Sequence, residues 1–138
     1  TLNHEKKHFI RAIMEGIAYS VRHRMEIMER ELGIRIEEVR AVGGGGRSAL
    51  WRRIMADVYN KPVILPGGEE HECLGAAILS GVGAGLYKDV DQASDKLIPI
   101  VDRTEPKKEL SERYTKLFEV YVGLYSKLRD SFSILAEL

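Results

Sequence analysis

Two short stretches hold residue types whose spacing could do chemistry. Residues 4–8 read HEKKH, the H-E-x-x-H string in which two histidines one helical turn apart can hold zinc while the glutamate between them activates water. Residues 42–58 read VGGGGRSALWRRIMADV, an apolar strand-like segment running into Gly43, Gly44, Gly45 and Gly46, then Arg47 and Ser48. Glycines without side chains let backbone N–H groups approach a phosphate. A helix starting after an N-cap residue such as Ser48 adds unpaired donors and a favourable dipole. The first stretch suggests metal-assisted hydrolysis, the second the binding of a nucleotide phosphate.

Context separates the two. On a helical wheel His4 and His8 fall opposite the apolar stripe of the helix they open, whereas catalytic zinc needs a shielded site with supporting hydrogen bonds. Lys6 and Lys7 add positive charge beside a dication, and no spacing selects a third ligand among Glu26, Glu29 and Glu31. HEKKH is therefore read as a charged first helical turn, and no metal ligand is assigned. A tight strand-to-helix turn ordinarily needs one or two glycines, not the four found here, so an anion site is the better reading of the second stretch. It is not a P-loop, since no Gly-Lys pair is present. G-x-G-x-x-G placed from Gly43 or Gly44 ends on Ser48 or Ala49, and the second strand ends at Leu65-Pro66-Gly67-Gly68 with Glu69 only beyond the turn. A dinucleotide fingerprint is thus poorly supported.

Composition narrows the classes further. Over 138 residues, 21 basic and 21 acidic side chains cancel, and no basic stripe with interleaved aromatics marks a nucleic-acid binder. The single cysteine, Cys73, can form neither an internal disulfide nor a cysteine-rich zinc site. No apolar run approaches a membrane span and no leader pattern is visible, so no membrane partner and a cytoplasmic location are expected. The chain starts at Thr1 on what reads as a helix, as a segment of a longer protein would.

The elements that must position the glycines follow from periodicity. Phe9, Ile10, Ile13, Met14, Ile17, Val21, Met25, Met28 and Leu32 recur at helical spacing from His8 to Leu32, with Gly33 as C-terminal cap. Ala12, Gly16 and Ser20 make a row of small residues that could admit another backbone. Val39, Ala41 and Val42 suggest a buried strand, Ser48 to Tyr59 a helix, Pro62 to Leu65 a second strand and PGGEE (66–70) a turn. A small-residue helix is expected over 73–87, its glycines explained by close packing, and an edge strand at Leu97 to Val101. A long helix spans Pro106 to Leu135. Its Leu110, Tyr114, Leu117, Tyr121, Leu124 and Leu128 form a heptad seam, and two readings compete: docking on its own domain, favoured because Phe118, Val122 and Tyr125 widen the stripe, or homodimerisation. The order implies an α/β architecture, a short parallel sheet flanked by helices, with further strands expected outside this chain.

Several stretches together resemble the C-terminal domain of the FGGY family of carbohydrate kinases, most closely its xylulokinase branch: HFIRAIMEG (8–16), GGGGRSALWRRIMADV (43–58) followed by Pro62-Val63, CLGAAILSGVGAGLY (73–87), and a proline before a tyrosine-rich terminal helix (106–128). They cover nearly the whole chain in order, and HEKKH becomes a chance overlap with a signature whose polar position is His8. The resemblance implies part of an actin-like, ribonuclease-H-like ATPase fold. Residues 1–138 would be a single domain fragment, the ATP-binding half of a two-domain sugar kinase, using ATP/ADP with Mg²⁺. It implies that Gly44 and Gly45 meet the α-phosphate and sugar of the nucleotide, that Gly43 and Gly46 shape the turn, that Arg47 flanks the base and that Ser48 lies near the adenine. It places the catalytic base and the sugar site elsewhere, so no catalytic residue is expected in this chain. Trp51 and Asp57 are read as structural. The competing reading is a non-catalytic module dimerising through residues 110–128.

Overall fold

The computed structural model describes residues 4–68 and 71–137. It begins with α1, Lys6–Leu32. The first turn of this helix accounts for HEKKH: the Glu5 backbone N–H donates to His8 Nδ1 at 2.9 Å, half of a reciprocal capping box. Gly33 ends the helix in the left-handed conformation, φ 64°, as its position predicts. β1, Val39–Arg40, leads into α2, Gly43–Arg47, then α3, Ala49–Tyr59, and β2, Val63–Pro66. α4, His71–Gly83, and α5, Val90–Leu97, precede β3, Ile100–Thr104, and α6, Lys108–Ala136, closes the chain.

The sheet runs β1-β2-β3. β1 and β2 are parallel, Val39 opposite Val63 and Arg40 opposite Ile64, but β3 is antiparallel to β2, which corrects the expectation of an all-parallel sheet. The reason lies in where each connection delivers the chain: α2 and α3 carry it back to the start of the next strand, whereas α4 and α5 return it to the end of β2. There Gly67 N–H donates to Pro99 O at 2.7 Å, and β3 can only run the other way. The expected edge strand exists, three residues later than its reading, and α5 fills a stretch left unassigned. Asp89 caps α5 through the Gln92 N–H at 2.8 Å.

α3 is the core helix. Ile54, Ala56 and Val58 are fully buried, and they pack with Val63 of β2 against Ala18, Tyr19 and Met25 of α1 and Tyr114 and Phe118 of α6. The facing residue of β2, Ile64, points to the other side of the sheet, towards Ser94 and Ile98. Burying that strand on both faces is what keeps it apolar. Polar contacts fix the helix angles. Arg11 Nη2 donates to the Tyr114 hydroxyl at 2.6 Å, which donates to Glu15 Oε1 at 2.7 Å. Arg22 donates to Val58 O at 3.0 Å while lying 4.4 Å over the Phe118 ring.

Three sequence expectations about packing are corrected. In α1 the row Phe9, Ile10, Ile13 and Ile17 is 51–65% exposed; of the predicted stripe Met14, Val21 and Met25 do pack on the core, joined there by Ala18 and Tyr19. The small row Ala12-Gly16-Ser20 admits no backbone, since a Cβ on Gly16 would meet nothing within 4 Å. In α4 close packing explains Gly81, whose Cβ would lie 2.9 Å from the Tyr87 ring, but not Gly75 or Gly83. The α6 seam divides: Ser111, Tyr114 and Phe118 dock, as the favoured reading has it, while Leu110, Leu117, Leu124 and Leu128 stay 36–43% exposed. Of the expected 66–70 turn, Glu69 and Glu70 lie outside the described residues.

Candidate functional site

The four glycines do not form an open loop. From Gly43 to Arg47 they wind into the single helical turn α2, with Val42 as its N-cap, so helix begins five residues before the predicted start at Ser48. Glycine disfavours helix by about 1 kcal/mol per residue relative to alanine, so contacts must impose the turn. Gly43 starts it at φ 69°, a conformation that costs glycine little. Gly46 ends it, buried against β1: a Cβ there would stand 2.4 Å from the Ala41 carbonyl oxygen. Ser48 joins the two helices. Its N–H bonds Gly45 O at 3.1 Å, and its hydroxyl accepts the Trp51 N–H at 3.3 Å, which makes it the N-cap of α3 that its residue type predicts. Trp51 lies along Gly45, its Cδ1 3.4 Å from where a Cβ would be, and packs on the core.

A cleft of about 230 Å³ opens beside this turn, lined by Gly43, Arg47, Leu65, Pro66, Gly67, Gly68 and Val101. It sits at the carboxyl ends of the adjacent parallel strands β1 and β2, the place where open α/β sheets hold ligands. Gly43 and Gly44 face open space, with nothing within 4 Å of an added Cβ. Gly67 is a glycine for a different reason: its Cβ would meet the Pro99 ring at 2.9 Å. Behind the cleft Arg52 is 6% exposed and donates from Nη1 to Gly46 O at 2.6 Å and from Nη2 to Asp102 Oδ2 at 2.7 Å. The hydrogen bond from Arg52 holds the Asp102 carboxyl below the usual carboxylate range.

Comparison with known proteins bears on this arrangement. The model of the C-terminal domain of the FGGY family of carbohydrate kinases matches residues 1–84, the span that contains α1, the glycine turn, α3 and β2. The chain belongs to the FGGY family. A Bacillus subtilis (strain 168) xylulose kinase is 33% identical over 127 residues, 92% of this chain and 25% of its own length. A Bacillus licheniformis gluconokinase is 32% identical over 136 residues, 99% of this chain and 26% of its own. A solved xylulose kinase from Rhodospirillum rubrum matches with TM-score 0.83 at 28% identity, covering 96% of this chain and 27% of that one. This FGGY chain thus spans about a quarter of the length of these relatives. Its mixed sheet and flanking helices are part of the actin-like ATPase fold of FGGY kinases.

Of the residues singled out in sequence, Gly43 and Arg47 line the cleft, Gly44 and Gly45 lie on the exposed side of the turn, and Gly46 and Ser48 shape it from behind. Asp57, read as structural, is 1% exposed and accepts the Lys107 N–H at 2.8 Å, capping α6. The sequence reading missed the second lip, Leu65 to Gly68 and Val101. The Gly67-Gly68 pair at the end of the second strand was its available signal. It also missed the Arg52–Asp102 pair, which a separation of fifty positions hides. No helix among the described residues is long and apolar enough to cross a membrane.

Proposed function

We propose that this chain is the nucleotide-binding C-terminal domain of an ATP-dependent sugar kinase that moves the γ-phosphoryl group of ATP to a sugar hydroxyl, with xylulose the favoured acceptor. The observation that carries the reading is the cleft at the ends of two parallel strands, bordered by glycines on both lips. The open faces of Gly43 and Gly44 fit a phosphate brought close to the backbone. In this reading Gly44 and Gly45 meet the α-phosphate and ribose, Arg47 flanks the base on the rim, and Ser48 stands near the adenine. Mg²⁺ arrives on the nucleotide and supplies charge neutralisation to the transferring phosphoryl group. The base that takes the sugar proton and the sugar contacts lie in the part of the kinase outside residues 1–138. Xylulose is favoured by the xylulose kinases among the relatives and solved structures, with gluconate the next choice.

Calorimetric titration with ADP, with and without Mg²⁺, tests the reading. Binding by wild type that disappears in a folded Gly44→Val chain is the expected result, because the branched side chain fills the space left for phosphate. Equal binding by both would remove the turn from the site. Half a cleft does not position both reactants, so the chain alone should not phosphorylate a sugar; ATP-dependent phosphorylation of xylulose by the pure 138-residue chain would contradict this. A second reading, self-association through α6, is favoured by the exposed Leu110, Leu117, Leu124 and Leu128 row. Sedimentation of Leu117→Glu/Leu124→Glu beside wild type decides it, with a concentration-dependent dimer lost in the variant as the supporting result.

A further inference from the structure

We propose that Arg52 is a positioning residue that sets the width of the nucleotide cleft by bracing one lip against the other. The inference rests on the nucleotide reading of that cleft. One lip is the α2 turn, which contributes Gly43 and Arg47; the other is the β2–β3 pair, which contributes Leu65 and Val101. Arg52 touches both. Its Nη1 donates to Gly46 O, at the end of the turn, at 2.6 Å. Its Nη2 donates to Asp102 Oδ2 at 2.7 Å, and Asp102 is next to Val101 and directly opposite Leu65 in the sheet. A guanidinium carries these donors in one rigid plane, so the separation of Gly46 O from Asp102 Oδ2 is fixed by covalent geometry rather than by a flexible chain.

The chemistry argues against a role in stability alone. The arginine is 6% exposed, its Nε is buried with no hydrogen-bond partner, and its one carboxylate partner is 45% exposed at the side chain. A buried ion pair so incompletely matched is commonly replaced by apolar residues without loss of stability. What an apolar residue cannot do is hold a carbonyl and a carboxylate a set distance apart. Gly46 supports the same conclusion from the other side. It is pressed onto the Ala41 backbone, so the residue whose carbonyl Arg52 holds is also the one that seats the turn on the end of β1.

The test compares ADP binding to wild type, Arg52→Met, Arg52→Lys, Asp102→Leu and Gly44→Val. Trp51, the only tryptophan in the chain, is the reporter because its ring lies along Gly45. Circular dichroism and urea midpoints establish folding. The expected result is a tenfold or greater loss of ADP affinity in folded Arg52→Met, partial rescue by Arg52→Lys, and a several-fold loss in Asp102→Leu. The Trp51 emission change at saturation should shrink in parallel. If Arg52→Met does not fold, Asp102→Leu decides, since it cuts the outer end of the brace at a half-exposed position. Wild-type affinity and emission change in folded Arg52→Met, or in Asp102→Leu where the former does not fold, would overturn the brace while leaving the nucleotide site intact. Folded wild type that fails to bind millimolar ADP, or Gly44→Val that binds as well as wild type, would overturn the nucleotide reading and the brace with it.

Discussion

Gly46 offers the sharpest test of how the glycine turn is built, because its effect on stability can be worked out apart from any ligand. An alanine Cβ at this position would lie 2.4 Å from the Ala41 oxygen and 2.7 Å from its carbonyl carbon, about 1 Å inside a normal contact. Neither partner can swing away. Ala41 is tied to β2 through its N–H on Ile64 O at 2.9 Å, and Gly46 is held by Arg52. Overpacking of this kind costs about 1–3 kcal/mol, and a backbone-on-backbone clash belongs at the upper end. Replacing a helical glycine returns about 1 kcal/mol, so the net loss is roughly 2 kcal/mol, or about 8 °C in melting temperature for a chain of this size. Gly44→Ala is the control. It meets no atom within 4 Å and should be neutral or stabilised by about 0.4–1 kcal/mol. Thermal and urea unfolding followed by circular dichroism reads both. A Gly46→Ala chain that melts within about 2 °C of wild type, or above Gly44→Ala, would refute the reasoning and mean that α2 can slide off β1.

Three further outcomes are expected. Asp57→Ala should lower the urea midpoint by an amount equivalent to about 1–3 kcal/mol, because it removes a buried carboxylate that accepts the Lys107 N–H at the start of α6 and pairs with Arg53. Phe118→Ala should cost about 3–5 kcal/mol, since Phe118 is 4% exposed under Arg22, whereas Leu117→Glu, at a position 43% exposed, should stay within about 0.5 kcal/mol; denaturant titration of the pair measures which face of α6 docks. The Tyr19 hydroxyl is pushed up to about 12 by burial and the nearby Glu15 charge, and burial does the same to Tyr59. The folded chain therefore holds these protons more tightly than the unfolded one, whose tyrosines titrate near 10. Their contribution is complete below pH 10 and is lost as pH rises towards 12, on the order of 2 kcal/mol per tyrosine. Urea midpoints at pH 9 and 11.5 should fall less in Tyr59→Phe than in wild type.

Much of this fold was legible where a local signal and the tertiary contact agree. Gly33 and Ser48 cap the helices that their residue types predict, and Asp89-x-x-Gln92 is a capping signature that, used, would have placed α5. The family was legible because its motifs run in order along nearly the whole chain. What stayed hidden is set by distant partners. Periodicity says that α1 has an apolar face, but Tyr114 and Phe118, a hundred residues on, decide that the Tyr19 side is the one buried. The direction of β3 depends on α4 and α5 returning the chain to the end of β2, where Gly67 meets Pro99. The conversion of four glycines into a helical turn runs against local propensity and follows from Ala41 and Arg52, so this lip of the candidate cleft was the part least open to local reading.

The terminal helix has a mechanical consequence. α6 is 29 residues long, about 43 Å at 1.5 Å per residue, yet it is gripped in its first half, through Ser111, Tyr114, Thr115, Phe118 and Tyr121, and every residue from Leu124 to Glu137 is exposed. It is a lever with its fulcrum at the Arg11–Glu15–Tyr114 contact. From Tyr114 to its end at Ala136 the arm is roughly 33 Å long, so a tilt of about 10° at the fulcrum becomes a displacement of about 6 Å at the tip. Whatever the apolar tip touches will sense the packing of Tyr19 against Tyr114, amplified along the rod.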